Sequence, residues 1–173
     1  MALLVVFAGL PGSGKSVLAR GTADVIGATY LRIDTIESAI VSTLMPYWDN
    51  PVGYVVAERV AADQLTAGRD VVADAVNGVA AARAGWAALA ARAHAVLRFV
   101  EVRCSDAAEH RRRVETREPE RPGEGVPTWE QVLRRRFEPW PPELPGPIIV
   151  DNLGDAAVHV ARIAAELPTR TGL

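Results

Sequence analysis

Residues 3 to 16, LLVVFAGLPGSGKS, constrain this chain more than any other stretch. Leu3 to Ala8 is a continuous apolar run rich in Val and Leu, the pattern of a strand buried on both faces of a parallel sheet. Gly9 to Ser16 then reads G-x-x-x-x-G-K-S, and Ser16 to Ile26 continues as a helix. A buried strand entering a glycine-rich turn that opens a helix is the context in which this motif holds phosphate. The expected cradle runs through Gly9, Pro11, Gly12, Ser13, Gly14, Lys15, Ser16 and Val17. Its glycines let the backbone wrap so that N–H groups point inward, and the helix start adds partial positive charge. Lys15 is expected to reach the β- and γ-phosphates and the Ser16 hydroxyl to ligate Mg²⁺, so ATP and Mg²⁺ are the expected cofactors. The plain alternative is a glycine turn with no ligand.

Lys15 is the only lysine among 19 basic residues; every other cation is arginine. Arg and Lys are not interchangeable where a compact point charge is needed. The one retained lysine therefore marks a position where a guanidinium does not serve.

Strand-like and helix-like segments alternate along the rest of the chain. Strands are expected at Thr29 to Ile33, Asp70 to Ala73, Ala95 to Val102 and Pro147 to Val150. Helices are expected from Thr35, from Val52 to Ala67 with Gly68 as its stop, and from Val79 to Ala93. Three more follow: from Ser105, as a cap, to Arg117; from Thr128 to Phe137; and from Asp155 to Leu167. EPERPGEGVP is a polar loop, and EPWPPELPGP cannot be regular structure. The reading is one α/β domain over residues 1–173, a parallel sheet with helices on both faces and a lid near 106–140. A net charge of -2 argues against a general nucleic-acid surface, so a nucleic-acid partner is not expected. The single Cys104 excludes an internal disulfide. The apolar start is too short to span a bilayer, and a cytoplasmic protein without a membrane partner is expected. Oligomeric state is left open.

Three classes share the phosphate loop. Guanine switches read their base with Asn-Lys-x-Asp, for which this chain lacks a second lysine. Motor ATPases place Glu after the strand-end Asp; here Asp74 is followed by Ala75. A kinase is the better expectation. Asp34, at the end of the second strand, can face the γ-phosphate and accept a proton from a substrate hydroxyl, or can simply cap the following helix. Asp74 is the natural water-mediated Mg²⁺ ligand, although the two aspartates can exchange roles. Arg113 and Arg117, four apart on a helix, share one face and suit a closing lid that needs cations over the transferring phosphate. Glu109 and Arg113 can equally form a surface pair.

GLPGSGKS, RID, VVADAV, RRRVETR and FEPW, in that order, make nearly the whole chain resemble the AAA_33 group of small P-loop kinases, which is similar to zeta toxin and chloramphenicol phosphotransferase. The resemblance implies ATP and Mg²⁺, sheet order 2-3-1-4-5 in a three-layer fold, and a hydroxyl-bearing small-molecule acceptor. It also implies Asp34 as general base, Arg113 on adenine and Arg117 on the phosphates. One position departs from it. Many relatives, polynucleotide 5′-hydroxyl kinases among them, carry Arg three residues after the catalytic Asp, where this chain has Glu37. That weakens a nucleic-acid or phosphorylated acceptor and leaves room for one with an amine or several hydroxyls.

Asn77 and Arg83 are further candidates for acceptor contact. Trp86 is expected in the core, Trp140 as an anchor for the irregular segment, and Tyr47 and Trp48 beside an acceptor pocket. His94, His110 and His159 lack metal spacing and are assigned no chemistry. The acceptor stays open among antibiotics, sugars, nucleosides and other alcohols. The competing readings are a nucleotide-dependent regulatory switch without an acceptor and a polynucleotide 5′-hydroxyl kinase. A kinase should keep an open cavity between Asp34, Glu37 and the helix bearing Arg83, whereas a switch should fill it.

Overall fold

A computed structural model describes residues 1–43, 51–119 and 125–168. Its elements, in chain order, are β1 (Leu3–Ala8), α1 (Lys15–Ile26), β2 (Thr29–Arg32), α2 (Ile33–Thr43), α3 (Val52–Thr66) and β3 (Val71–Asp74). They continue with α4 (Ala80–Arg92), β4 (Val96–Arg103), α5 (Ala107–Glu115), α6 (Trp129–Arg134), β5 (Ile148–Asp151) and α7 (Ala156–Glu166). The strands form one five-stranded sheet in order β2-β3-β1-β4-β5, with every pairing parallel.

The most apolar strand takes the centre, as a strand flanked on both edges and covered on both faces must. All six residues of β1 are buried, and Val5 pairs with Val72 on one side and Arg98 on the other. Alternate side chains supply two cores. Leu4, Val6, Ala73 and Phe99 face α3 and α4 with Trp86, while Val5, Phe7, Val72 and Val100 face α1 and α7 with Leu18 and Ile163.

The element boundaries depart from expectation in three ways that matter for the site. The second strand stops at Arg32, so Asp34 lies in the first turn of α2 rather than on a strand end. The cap of α5 is Asp106, whose carboxylate accepts from the amides of Ala108 and Glu109; Ser105 does not fill that role. Helix α5 ends at Glu115, which leaves Arg117 beyond it. Thr128 caps α6 as expected, in a reciprocal capping box with Gln131. Among the described residues, no helix is long and apolar enough to cross a membrane.

Candidate active site

Parallel strands deliver their following loops to the carboxyl edge of the sheet, where this fold gathers its polar groups. At the end of β1 the phosphate loop turns through Gly12 (φ 82°) and Gly14 (φ 83°), both in the left-handed region that glycine tolerates best. Space is as restrictive as conformation. A Cβ on Gly14 would lie 2.0 Å from Asn152 Nδ2, and one on Gly12 would lie 2.4 Å from Val114 Cγ2.

Two side chains brace the loop from outside. Asn152, just past β5, donates from Nδ2 to the Ser13 carbonyl at 2.9 Å. His110 of α5 is buried, with Nε2 2.8 Å from the Pro11 carbonyl. A carbonyl only accepts, so that nitrogen carries the proton. The edge-on ring of Trp129 in α6 holds the imidazole, with centroids 5.1 Å apart. Sequence reasoning assigned His110 no role and did not single out Asn152. Both act on backbone carbonyls, a partnership that leaves no spacing signature.

Lys15 and Asp74 meet inside the loop, with Nζ 4.0 Å from Oδ1 and both side chains nearly buried. Tyr30 of β2 donates to the other carboxylate oxygen of Asp74 at 2.7 Å. Burial and the neighbouring Asp74 carboxylate push the Tyr30 phenol well above its ordinary value, so it stays a donor. Asp74 Oδ1 is buried without a hydrogen-bond partner among the described residues. An orphaned carboxylate oxygen is costly unless something occupies it. Asp74 and the hydroxyl of Ser16, in the first turn of α1, are hard oxygen donors. They suit Mg²⁺, which keeps most of its waters and takes few protein ligands. Val17 turns its side chain outward, and its amide bonds the Gly14 carbonyl.

The two lid arginines part company because α5 ends between them. Arg113 donates from Nη1 to the Asn152 carbonyl at 3.0 Å and from Nε to Glu109 at 2.7 Å, beside Gly14. Hydrogen bonds from Arg112 and Arg113 hold the Glu109 carboxyl down at about 2. Arg117 instead lines a cavity of about 360 Å³ together with Lys15, Asp34, Glu37 and Arg135. Arg32 Nη2 sits 3.7 Å from Asp34 Oδ2, within an ion pair's reach.

Glu37, Val41 and Arg135 also line a larger chamber of about 720 Å³. Its walls are α2, α3 and the start of α4, including Tyr54, Glu58 and Ala82. Among the described residues, the space between Asp34, Glu37 and the helix bearing Arg83 is therefore open.

Asn77 and Arg83 do not face that space, contrary to expectation. Asn77 is fully buried at φ 45°, donating from Nδ2 to the Phe7 carbonyl and accepting from Trp86 Nε1. Arg83 is fully buried too, donating to the carbonyls of Asn77, Gly78, Glu138 and Pro139. Its guanidinium lies 4.0 Å from the Trp140 ring centroid and 5.0 Å from that of Phe137. These two residues staple the turn after β3 to the segment after α6. Trp86 and Trp140 are core and anchor as expected, Trp140 packing on Phe99 and bonding Glu101. Tyr47 and Trp48 lie outside the described residues.

Solved structures share this architecture. A kinase candidate from Chloroflexus aurantiacus superposes with a TM-score of 0.76 at 19% identity, over 96% of this chain and 99% of that one. Chaetomium thermophilum Kti12, in complex with ADP-AlF3, gives 0.69 at 17% identity over 96% and 100%. A sugar kinase from Janibacter sp. HTCC2649 gives 0.63 at 18% identity over 95% and 94%. At such identities the likeness establishes the P-loop kinase-like fold. No curated protein matches the sequence significantly. The family model of AAA_33, described as an AAA domain, matches residues 4–139, and the chain belongs to that family.

Proposed function

We propose that this chain is an ATP-dependent phosphotransferase that moves the γ-phosphoryl group to a hydroxyl of a small molecule. The observation that carries the reading is the convergence of Lys15, Asp34 and Arg117 on one cavity that shares Glu37, Val41 and Arg135 with a larger chamber. The loop amides, Lys15 and the start of α1 hold the phosphates, and Arg113 stands beside Gly14 where a base can stack on it. In the transfer, the acceptor oxygen bonds to the γ-phosphorus while the bond to the ADP oxygen breaks. Asp34 takes the hydroxyl proton, and Lys15 and Arg117 offset charge on the moving group. Mg²⁺, held by Ser16 and by Asp74 through water, would neutralise charge on the β- and γ-oxygens.

The likeness to a sugar kinase supports the same direction. The likeness to Kti12 favours a second reading, a regulatory ATPase with no small-molecule acceptor. An assay of ADP release against a panel of alcohols separates the two. Acceptor-dependent release with recovery of a phosphorylated alcohol is the expected result. Release that ignores every alcohol and yields only inorganic phosphate supports the regulatory reading.

A further inference from the structure

The two cavities, which share Glu37, Val41 and Arg135, differ in their balance of charge. Lys15, Arg117 and Arg135 stand around the smaller one with Asp34 and Glu37, an excess of positive charge where the phosphoryl group would pass. The larger chamber has walls from Ile40, Val41, Val52, Val55 and Val79, and among the described residues its charged lining is Glu37, Glu58 and Arg135. There the balance facing an acceptor is negative, and Glu58 belongs to that chamber alone.

The two carboxylates are fitted into their places by glycines on neighbouring helices. A Cβ on Gly53 of α3 would come 2.3 Å from Glu37 Cγ, and one on Gly85 of α4 would come 2.5 Å from Glu58 Oε1. Glycine inside a helix is unfavourable relative to alanine, so each carries a cost whose visible result is room for a carboxylate. Among the described residues, neither Glu37 nor Glu58 makes a hydrogen bond or an ion pair within 4 Å. The start of α4, which could have held an anion, is taken by Glu138, bonded to the Ala80 amide at 2.6 Å. Burial raises the Glu37 carboxyl first, with Asp34 adding to it and the more distant Arg135 opposing, and burial raises Glu58 against the opposing charge of Arg92. Half-buried carboxylates without partners, on the wall of a chamber, gain most from a cation placed between them.

We infer that the acceptor is a cationic amino alcohol: its hydroxyl at Asp34, its apolar body against the valines of α2 and α3, and its protonated amine at Glu37 and Glu58. The inference rests on the phosphotransferase reading and narrows it. A chamber of this volume accommodates a compact amino sugar or an aryl amino alcohol. Anionic acceptors meet two like charges there, and neutral ones leave both carboxylates desolvated.

The test uses the full chain with AMPPNP for binding and ATP for turnover. Glucosamine and phenylethanolamine are each compared with their N-acetyl derivatives, and glucose 6-phosphate serves as the anionic probe. The free amine of at least one pair is expected to bind about tenfold or more tightly than its acetylated partner, the size of one hydrogen bond between charged groups. That preference should fall towards one in Glu58→Gln and in Glu37→Gln. Gly85→Ala should reduce it too, because the added methyl displaces the Glu58 carboxylate while favouring the helix. The inference is overturned if neither pair prefers the amine, if glucose 6-phosphate binds best, or if the preference survives both glutamine variants. Failure to bind AMPPNP, or ADP release with every acceptor ignored, defeats the phosphotransferase reading instead. Transfer to neutral alcohols in preference to amines defeats the amino-alcohol inference alone.

Discussion

The two halves of the site are built on opposite principles. On the phosphate side, the loop backbone is braced from outside: Asn152 holds the Ser13 carbonyl, His110 holds the Pro11 carbonyl, and no Cβ fits at Gly12 or Gly14. On the chamber side, Glu37 and Glu58 line the cavity with no hydrogen bond or close ion pair among the described residues. A phosphate is the same for every nucleotide, so its cradle can be made from backbone and fixed in advance. An acceptor is particular, and its pocket is made from side chains whose needs are met only by the right molecule.

The comparison breaks most readily at the boundary between the halves. On the proposed mechanism Asp34→Asn keeps the shape and loses the proton acceptor, so turnover should fall by about 10²- to 10⁴-fold with ATP binding retained. Single-turnover kinetics beside a nucleotide titration measures both. If Asp74→Asn destroys turnover with metal affinity intact while Asp34→Asn is nearly silent, the base is Asp74. Lys15→Arg keeps the charge but not the compact ammonium that fits 4.0 Å from Asp74. It should lower kcat/KM by about 10²- to 10³-fold, the range for losing one preorganised donor, and a competent Arg variant would refute the role given to the lone lysine.

Asn152→Ala tests whether the phosphate side is as braced as it looks. Removing the amide leaves the Ser13 carbonyl buried and unpaired, which costs about 1–3 kcal/mol in a denaturant titration. Nucleotide affinity should fall with it and acceptor specificity should not.

The smallest effect is a pH dependence on the chamber side. The folded protein raises the Glu37 carboxyl above its ordinary 4.5, chiefly by burial. A raised carboxyl favours the folded state below the unfolded value, and that contribution is lost as pH rises through the folded value. Glu37→Gln should therefore raise Tm at pH 7 and leave it unchanged at pH 4. A gain of equal size at both pH values would assign the effect to packing rather than charge.

The same division governs what could be read before the fold was seen. Buried parallel strands write themselves as apolar runs, so β1 and the Val71–Ala73 stretch of β3 were legible, and the resemblance supplied the strand order. GLPGSGKS announces its geometry because glycine is needed there for backbone reasons. Glu37 stood out as a departure from the resemblance, which implies arginine there in many members. Arg83 and Asn77 were misread because a guanidinium or an amide looks the same in sequence whether it meets a ligand or four backbone carbonyls. The split between Arg113 and Arg117 depended on where α5 stops, and helix ends are set by capping details such as Asp106 that a spacing of four residues does not reveal.

The central position of β1 has a consequence for biosynthesis. Leu4 pairs with Val71 on one edge and Leu97 on the other, so β1 is not flanked on both edges until β4 has been made. At about 5–20 residues per second, LLVVFA leaves the ribosome several seconds before both neighbours exist. During that interval it is an uncharged, apolar segment with at least one open edge, the kind of sequence that chaperones bind and that aggregates seed from. The strand that anchors the phosphate loop is thus also the point at which the nascent chain is most exposed to misassembly.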